Sequence, residues 1–187
     1  MIIGIIIAVV VVLALLAFFV TGFNKLRSQN VSVDEALGGI DVQLTRRADL
    51  IPNLVNTVKG YAAHEAGVLE AVTAARAGVQ KAAQGSSVAD KAAAEGVLNQ
   101  ALGRLIAVAE SYPDLKASAN FQQLQAELSD TENKLSFARQ YYNDAAASLN
   151  TSIATLPWAF FAGVTGVSKR DFYQAPAGQD APPTVQF

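Results

Sequence analysis

Hydrophobic residues follow two different patterns along the chain, and the first pattern is continuous. Residues 2–20 are apolar at every position and include no charge and no proline. As an α-helix, this run would be roughly 28 Å long, which is close to the ~30 Å hydrocarbon thickness of a bilayer. We therefore predict a transmembrane anchor at residues 1–23.

A cleaved signal peptide is the alternative explanation for an apolar N-terminus. No Lys or Arg precedes the run, and the run exceeds the ~7–15 residues that are typical of a signal-peptide core. Its small residues Ala14 and Ala17 are spaced A-x-x-A, whereas signal-peptide cleavage sites favour A-x-A. Because cysteine is absent, a lipoprotein anchor is excluded as well. We expect an uncleaved anchor.

After the anchor, apolar residues recur every three or four positions as far as Leu156. This spacing is typical of amphipathic α-helices, and good helix formers fill most of the remaining positions. No segment alternates with a period of two, so we predict no β-strand. The expected fold is all-α: the transmembrane helix is followed by an antiparallel up-and-down four-helix bundle with long helices at residues 24–157.

Proline and glycine indicate where these helices begin and end. Pro52 is placed where a helix should start or bend, and Gly85 should stop a helix before an N-cap at Ser86 or Ser87. Pro113 and Pro157 should follow the third and fourth helices. One alternative stays open, because a Pro52 that only kinks a continuous helix would leave three long helices.

Two segments follow the predicted bundle. Residues 158–173 are apolar and aromatic, whereas the Pro, Gly, Ala and Gln of residues 174–187 are typical of a disordered tail. Four antiparallel helices would return Trp158, Phe160 and Phe161 to the bilayer, where they suit the membrane interface or a docking surface. The alternatives are that these side chains close the open end of the bundle core or, with three helices, lie at its distal end.

The distribution of charge predicts orientation and partners. Lys25 and Arg27 follow the apolar run and no cation precedes it, so we expect an N-terminus outside the cell and a cytoplasmic C-terminal domain. The net charge is −2 and no run of like charges occurs, so nucleic acid is not an expected partner. The alanines at 138 and 145–147 allow close helix packing but bury little apolar area, so the bundle should gain stability from self-association and we expect a homo-oligomer. The anchor makes membrane lipid a second expected partner.

The residues that usually carry chemistry are sparse. Cysteine is absent, and the single histidine, His64, lacks the second histidine that zinc-protease and di-iron motifs require. No Gly-x-Ser-x-Gly motif and no phosphate-binding loop are present. We predict no catalytic residue, no cofactor and no metal site, and therefore no enzyme.

One group of charges does lie among core positions, in the segment IDVQLTRRADL at residues 40–50. Arg46 and Asp49 are three residues apart and can share a helix face, and an arginine can reach Glu132 or Tyr142 on a neighbouring helix. We predict a structural polar cluster that sets helix register, with a ligand site as the alternative. Its predicted members are Asp41, Arg46, Arg47, Asp49, Glu132 and Arg139.

The segments IDVQLTRRADLIPNLV at 40–55 and VKGYAAHE at 58–65 resemble the signature of the LemA family. Further similar segments lie at residues 102–105, 110–116, 121–125, 132–134 and 139–144. The resemblance implies one N-terminal membrane helix, a four-helix bundle, an outside N-terminus and an inside C-terminal domain, and it carries over no catalytic residue. The Gly38-Gly39 pair departs from the family pattern, and it leaves open whether one helix joins the anchor to the bundle.

Together these features predict a non-catalytic, single-pass scaffold of the cell membrane that self-associates or organises partners at the cytoplasmic face. The alternative is an accessory or adaptor subunit of a membrane enzyme, such as a protease, secretion or envelope-stress complex. A second membrane protein would then be the partner.

Overall fold

A computed structural model describes residues 1–174, and every regular element in that range is a helix. The helices are α1 (Ile2–Lys59), α2 (Ala66–Ala83), α3 (Val88–Glu110), α4 (Pro113–Lys116), α5 (Ala119–Ala154) and α6 (Ala159–Thr165). The expected all-α class is confirmed for the described range, whereas the packing as a four-helix bundle stays a prediction. The predicted tail lies outside the described residues, apart from Gln174.

Helix α1 is 58 residues long and includes Pro52, so the expected helix boundary at this proline is wrong. Pro52 has no N–H to donate to the carbonyl of Ala48. The Nε of Arg76 on α2 donates a 2.9 Å hydrogen bond to that carbonyl in its place. Ile51 and Leu54 are also buried on either side of the proline, so packing and a substitute donor offset the cost of proline inside the helix.

The break that separates α1 from α2 falls at residues 60–65, after Pro52, where it was expected. Moving the break preserves four long helices, namely α1, α2, α3 and α5. The alternative was therefore right that Pro52 does not end the helix, and wrong that only three long helices would follow. Helix α1 also continues through Gly38 and Gly39, where a Cβ atom would have no neighbour within 4 Å.

The other turn signals are confirmed. Gly85 has a φ of 119°, and the hydroxyl of Ser87 accepts a 3.1 Å hydrogen bond from the backbone N–H of Asp90 as the N-cap of α3. Helix α3 ends at Glu110, before Pro113, and α5 ends at Ala154, before Pro157. Glycine tolerates positive φ, and serine at an N-cap satisfies a free N–H, so local chemistry determines these boundaries.

The chain forms two units. Unit one comprises residues 1–36 and 141–172, and unit two comprises residues 37–140 together with residues 173 and 174. In unit one, Gln29 on α1 donates a 3.0 Å hydrogen bond to Ser148 on α5. Its core includes Leu26, Val33, Ala146, Leu149 and Phe161. The core of unit two includes Ile40, Leu44, Leu54, Val72, Leu98, Leu105, Leu115, Phe121 and Leu135.

Among residues 1–174, α1 is the one helix that is long and apolar enough to cross a membrane, judged by length and composition. None of its most apolar 18-residue window is buried in the protein. Large side chains of the run, such as Ile3 at 74% and Leu15 at 62% exposure, have no protein contact to cover them. The expected boundaries at residues 23, 157 and 173 remain predictions.

Candidate functional site

Two charged residues of α3 are fully buried in unit two. Lys91 is 1% exposed and Glu95 is 0% exposed, and they lie one helical turn apart. The same face of α3 continues with Leu98, Leu102 and Leu105, which are also buried. The period of the helix therefore carries both charges into the core, where each must be paired.

Glu95 is at the centre of a network that we call the Glu95 cluster, formed by Arg47, Glu95, Glu132, Arg139 and Tyr173. Arg139 Nη2 donates to Glu95 Oε1 at 2.6 Å and to Glu132 Oε1 at 2.8 Å. Arg47 Nη1 donates to Glu132 Oε2 at 2.5 Å and lies 3.9 Å from Glu95 Oε1. Two guanidinium groups and two carboxylates therefore alternate, so their formal charges balance inside the protein.

Tyr173 binds the second oxygen, Oε2, of the Glu95 carboxylate. Its hydroxyl donates a 2.7 Å hydrogen bond to Glu95 Oε2, and the Arg139 guanidinium carbon lies 5.9 Å from the centroid of the Tyr173 ring. Tyr173 is itself 3% exposed. Tyr173 is therefore held in the core of unit two by a hydrogen bond to a charged acceptor.

Burial controls the protonation of this site. Burial is the main cause that raises the pKa of Glu95, and the nearby Glu132 carboxylate raises it too, against the opposing influence of Arg139, of the Tyr173 hydrogen bond and of Arg47. Burial also raises the pKa of Tyr173, and the adjacent Glu95 carboxylate raises it further. The Tyr173 hydroxyl consequently keeps its proton and acts as a donor at neutral pH.

A second buried ion pair lies beside the Glu95 cluster. The Lys91 ammonium group binds Asp41 of α1, and it also donates a 3.1 Å hydrogen bond to the backbone carbonyl of Ala82 at the end of α2. One lysine therefore joins three helices of unit two. A shift in helix register would leave one of these buried charges unpaired.

The structure distributes the sequence-predicted polar residues over several places. Arg47, Glu132 and Arg139 meet in the Glu95 cluster, and Asp41 binds Lys91. The remaining residues are peripheral: Arg46 lies 3.7 Å from Asp130, both side chains are about half exposed, and Asp49 is exposed on α1.

Tyr142, which the sequence offered as a partner for an arginine, has a different contact. Its hydroxyl donates a 2.8 Å hydrogen bond to the backbone carbonyl of Asp171 in unit one.

Three residues of the two buried charge networks, Lys91, Glu95 and Tyr173, were not predicted from the sequence. The signal that could have identified the two α3 residues is that they continue the apolar face of the helix toward its N-terminus.

A shallow groove of about 360 Å³ adjoins the cluster in unit two, and both Asn99 side-chain polar atoms are buried there without a hydrogen-bond partner. It is lined by Arg47, Asn99, Leu102, Gly103, Ile106, Gln125, Leu128, Ser129, Glu132 and Asn133. These side chains offer hydrogen bonds and ion pairs.

Within residues 1–174, no group of three or more His, Cys, Asp or Glu side chains is placed to hold a metal ion.

The three aromatic residues predicted at a membrane interface or docking surface have three different environments in unit one. Phe161 is 4% exposed and packs against Phe18 and Phe19, whereas Phe160 is 73% exposed. Trp158 lies between these extremes and stacks on Phe18 at 6.3 Å between ring centroids.

Helices alone within residues 1–174, one of them exposed, apolar and long enough to cross a bilayer, are typical of membrane-associated helical proteins. The LemA family model matches residues 36–187, so the chain belongs to the LemA family. It is 26% identical over 200 residues to magnetosome protein MamQ 2 of Paramagnetospirillum magneticum, covering 95% of this chain and 74% of that relative. It is 27% identical over 194 residues to magnetosome protein MamQ of Magnetospirillum gryphiswaldense, covering 89% and 71%.

Proposed function

We propose that this protein is a single-pass membrane scaffold that self-associates or organises partners at the cytoplasmic face and has no catalytic activity of its own. The observation that carries this proposal is helix α1. Within unit one, it is continuous from an apolar window with no buried residues to buried core positions such as Leu26 and Val33. A segment of this kind suits a protein whose helical domain is held at a membrane.

In this proposal, residues 1–23 are the anchor and residues 24–157 are an antiparallel up-and-down four-helix bundle. Residues 158–173 follow as an apolar segment, and residues 174–187 form the tail. Lys25 and Arg27 support a cytoplasmic bundle and an outside N-terminus, since cations favour the cytoplasmic flank of a membrane helix. Membership of the LemA family supports the same orientation.

The pairing of the buried charges supports a structural role for the polar cluster. Arg47, Glu132 and Arg139 satisfy one another and Glu95, so their charges serve the packing of helices on each other. Buried ionic networks of this kind contribute more to the choice of a unique register than to net stability.

Exposed apolar side chains in unit two support self-association. Phe137 on α5 is 72% exposed, and Val42 and Val97 are 62% and 57% exposed. Exposed large apolar groups of this size are candidates for protein contacts. We expect the full chain in lipid nanodiscs or mild detergent to have a mass that is a multiple of 19.7 kDa by light scattering.

The matched variants for this experiment are Phe137→Ser and Lys134→Ser, which lie one turn apart on α5. The first should reduce the assembly toward the monomer and the second should leave it unchanged, because only Phe137 offers apolar area. A homogeneous monomer in every lipid and detergent would contradict self-association.

Orientation is tested by single cysteines, since the chain has none of its own. In intact cells, a membrane-impermeant maleimide should label Ile2→Cys, and it should label Glu110→Cys only after the membrane is opened. The reverse pattern would contradict the proposed orientation.

The alternative function, an accessory subunit of a membrane enzyme, is favoured by one further feature of unit two. An apolar groove of about 540 Å³ lies between the end of α1 and α2, with Lys59 and Glu70 among its polar groups. A second protein that co-purifies at fixed stoichiometry, is lost in Ala74→Arg and is retained in the exposed control Ala93→Arg would support this alternative over the scaffold.

A further inference from the structure

Helix α6 packs against the last two turns of the apolar run. The ring centroid of Phe161 lies 5.3 Å from that of Phe18 and 5.7 Å from that of Phe19, both edge to face. A Cβ atom on Gly22 would overlap the Phe161 ring, so glycine is what permits this close approach. These contacts place α6 at the same level along α1 as residues 18–22.

The face of α6 that adjoins the Phe161 face is apolar and uncovered. Phe160 is 73% exposed and Val164, one turn later, is 60% exposed. Leu156, in the turn that precedes the helix, is 70% exposed. Phe160 and Val164 therefore form an apolar strip one helical turn long, and Leu156 adds a third exposed apolar side chain beside the start of the helix.

This strip continues an apolar surface that already belongs to the anchor. Phe18 and Phe19 are 41% and 45% exposed, and they touch Trp158 and Phe161 of the α6 segment with their other edges. If α1 crosses the bilayer, the exposed parts of these rings face lipid. Because the α6 segment contacts these two rings, its apolar strip lies near the same level along α1.

A cation marks the polar boundary of this region. Lys25 Nζ lies 4.1 Å from the centroid of the Trp158 ring. Lys25 follows Val20 by about one and a half helical turns, which is roughly 8 Å along the axis. Tryptophan beside lysine is the combination that prefers the headgroup level of a membrane, where the ring body is apolar and the charge stays hydrated.

We propose that α6 lies in the lipid headgroup region beside the anchor and is a second membrane contact, with Leu156, Phe160 and Val164 facing lipid. This inference rests on the proposed insertion of α1. It goes beyond that insertion because it assigns a lipid-facing surface to a segment that is more than 130 residues later in the chain. Its occupant is a phospholipid surface, not a second protein.

The test measures the depth of single spin labels on the full-length protein in nanodiscs of phosphatidylcholine and phosphatidylglycerol. Labels at Phe160→Cys and Val164→Cys are compared with an anchor label at Val10→Cys and a water-exposed label of unit one at Glu35→Cys. Power saturation reports collisions with oxygen, which partitions into lipid, and with a nickel chelate, which stays in water. The two α6 labels should have an oxygen-to-nickel ratio several-fold above that of Glu35→Cys and below that of Val10→Cys.

Three results would overturn the proposal. A ratio equal to that of Glu35→Cys would place α6 in water. Protection from both reagents, with spectral broadening between labels, would show that a second copy covers the strip. A nickel-accessible Val10→Cys label would instead refute the anchor itself, and with it both this inference and the proposed function.

The contact between Phe161 and Gly22 can be tested with a matched pair of variants. In the Phe160→Cys background, Gly22→Leu should displace the Phe161 ring and lower the oxygen-to-nickel ratio toward the Glu35→Cys value. Gly38→Leu is the control, since a Cβ atom there meets nothing within 4 Å, and it should leave the ratio unchanged. An unchanged ratio in Gly22→Leu would contradict the idea that this contact sets the depth of α6.

Discussion

Arg76 Nε donates a 2.9 Å hydrogen bond to the backbone carbonyl of Ala48, the acceptor that Pro52 leaves without its helical partner. In an uninterrupted α-helix, this carbonyl would receive the N–H of residue 52, and proline has none. A side chain from α2 thus replaces a missing backbone donor inside α1. The contact also joins the two helices at the point where α1 would otherwise be weakest.

This relationship predicts that the effect of Arg76 depends on Pro52. Arg76→Met should lower the free energy of unfolding by about 1–3 kcal/mol, because it leaves the Ala48 carbonyl unsatisfied. In a Pro52→Ala background, the restored N–H occupies the carbonyl, and the same change should cost no more than about 0.5 kcal/mol. Urea unfolding of the four variants in detergent, followed by circular dichroism, measures this coupling. Equal costs in both backgrounds would refute it.

The hydrogen bond between Tyr173 and Glu95 predicts that Tyr173 stabilises unit two. Tyr173→Phe should lower the free energy of unfolding by about 1.5–3 kcal/mol, because a hydrogen bond to a buried carboxylate is lost. Tyr141→Phe is the matched control: its ring is 62% exposed, and the unfolding midpoint should not move. Equal midpoints for both variants would show that the contact contributes nothing.

The raised pKa of Glu95 predicts how stability depends on pH. A carboxyl whose pKa is higher in the folded state binds its proton more tightly there, so its contribution is fully present below the ordinary value of 4.5. That contribution is lost as the pH rises through the folded-state pKa. Glu95→Gln cannot titrate at this position. As the pH rises above 4.5, the wild type should therefore lose unfolding free energy relative to this variant, and the difference should level off at higher pH.

The control for this pH profile is Glu70→Gln, at an exposed position of α2. It should reproduce the wild-type dependence on pH over the whole range. A Glu95→Gln profile parallel to the wild type would mean that burial does not raise the pKa of Glu95.

Two glycines should respond to alanine in opposite directions. Gly38 is exposed within α1 and has open space around its Cβ position, so Gly38→Ala should raise the free energy of unfolding by about 0.5–1 kcal/mol. Gly166 follows α6 with a φ of 66°, and Gly166→Ala should lower the free energy of unfolding by about 1–2 kcal/mol. Thermal unfolding checks both signs, and a destabilising Gly38→Ala would indicate that an unseen contact fills that space.

Local patterns predicted most helix boundaries, and the failure at Pro52 shows their limit. Gly85 and Ser87 act through their own backbone and side chain, so their effect can be read from neighbouring residues. The effect of Pro52 depends on Arg76, which is 24 residues later in the numbering and reaches it only through the fold. A proline rule that considers the local chain alone therefore predicts a boundary that tertiary contact removes.

Part of the polar site was predictable for the same reason. Arg47 and Glu132 stand among apolar positions of two helical stripes, so their burial and pairing could be suspected from spacing. Lys91 and Glu95 continue the apolar face of α3, so their burial could also have been inferred from spacing. Their partners could not, since only the packing of unit two brings Tyr173 to Glu95 and Asp41 to Lys91.

The sequence by itself determined that the chain opens with a membrane-length apolar run, that helices follow it, and that the chain resembles the LemA family. These properties depend on residues within a few turns of one another, because helix rise, periodicity and capping are local. The tertiary structure alone decided which charges are buried together, and why Phe161 is covered while Phe160 is bare. Glu95 and Tyr173 are 78 residues apart, and no local spacing specifies a contact that exists only after distant helix faces have packed.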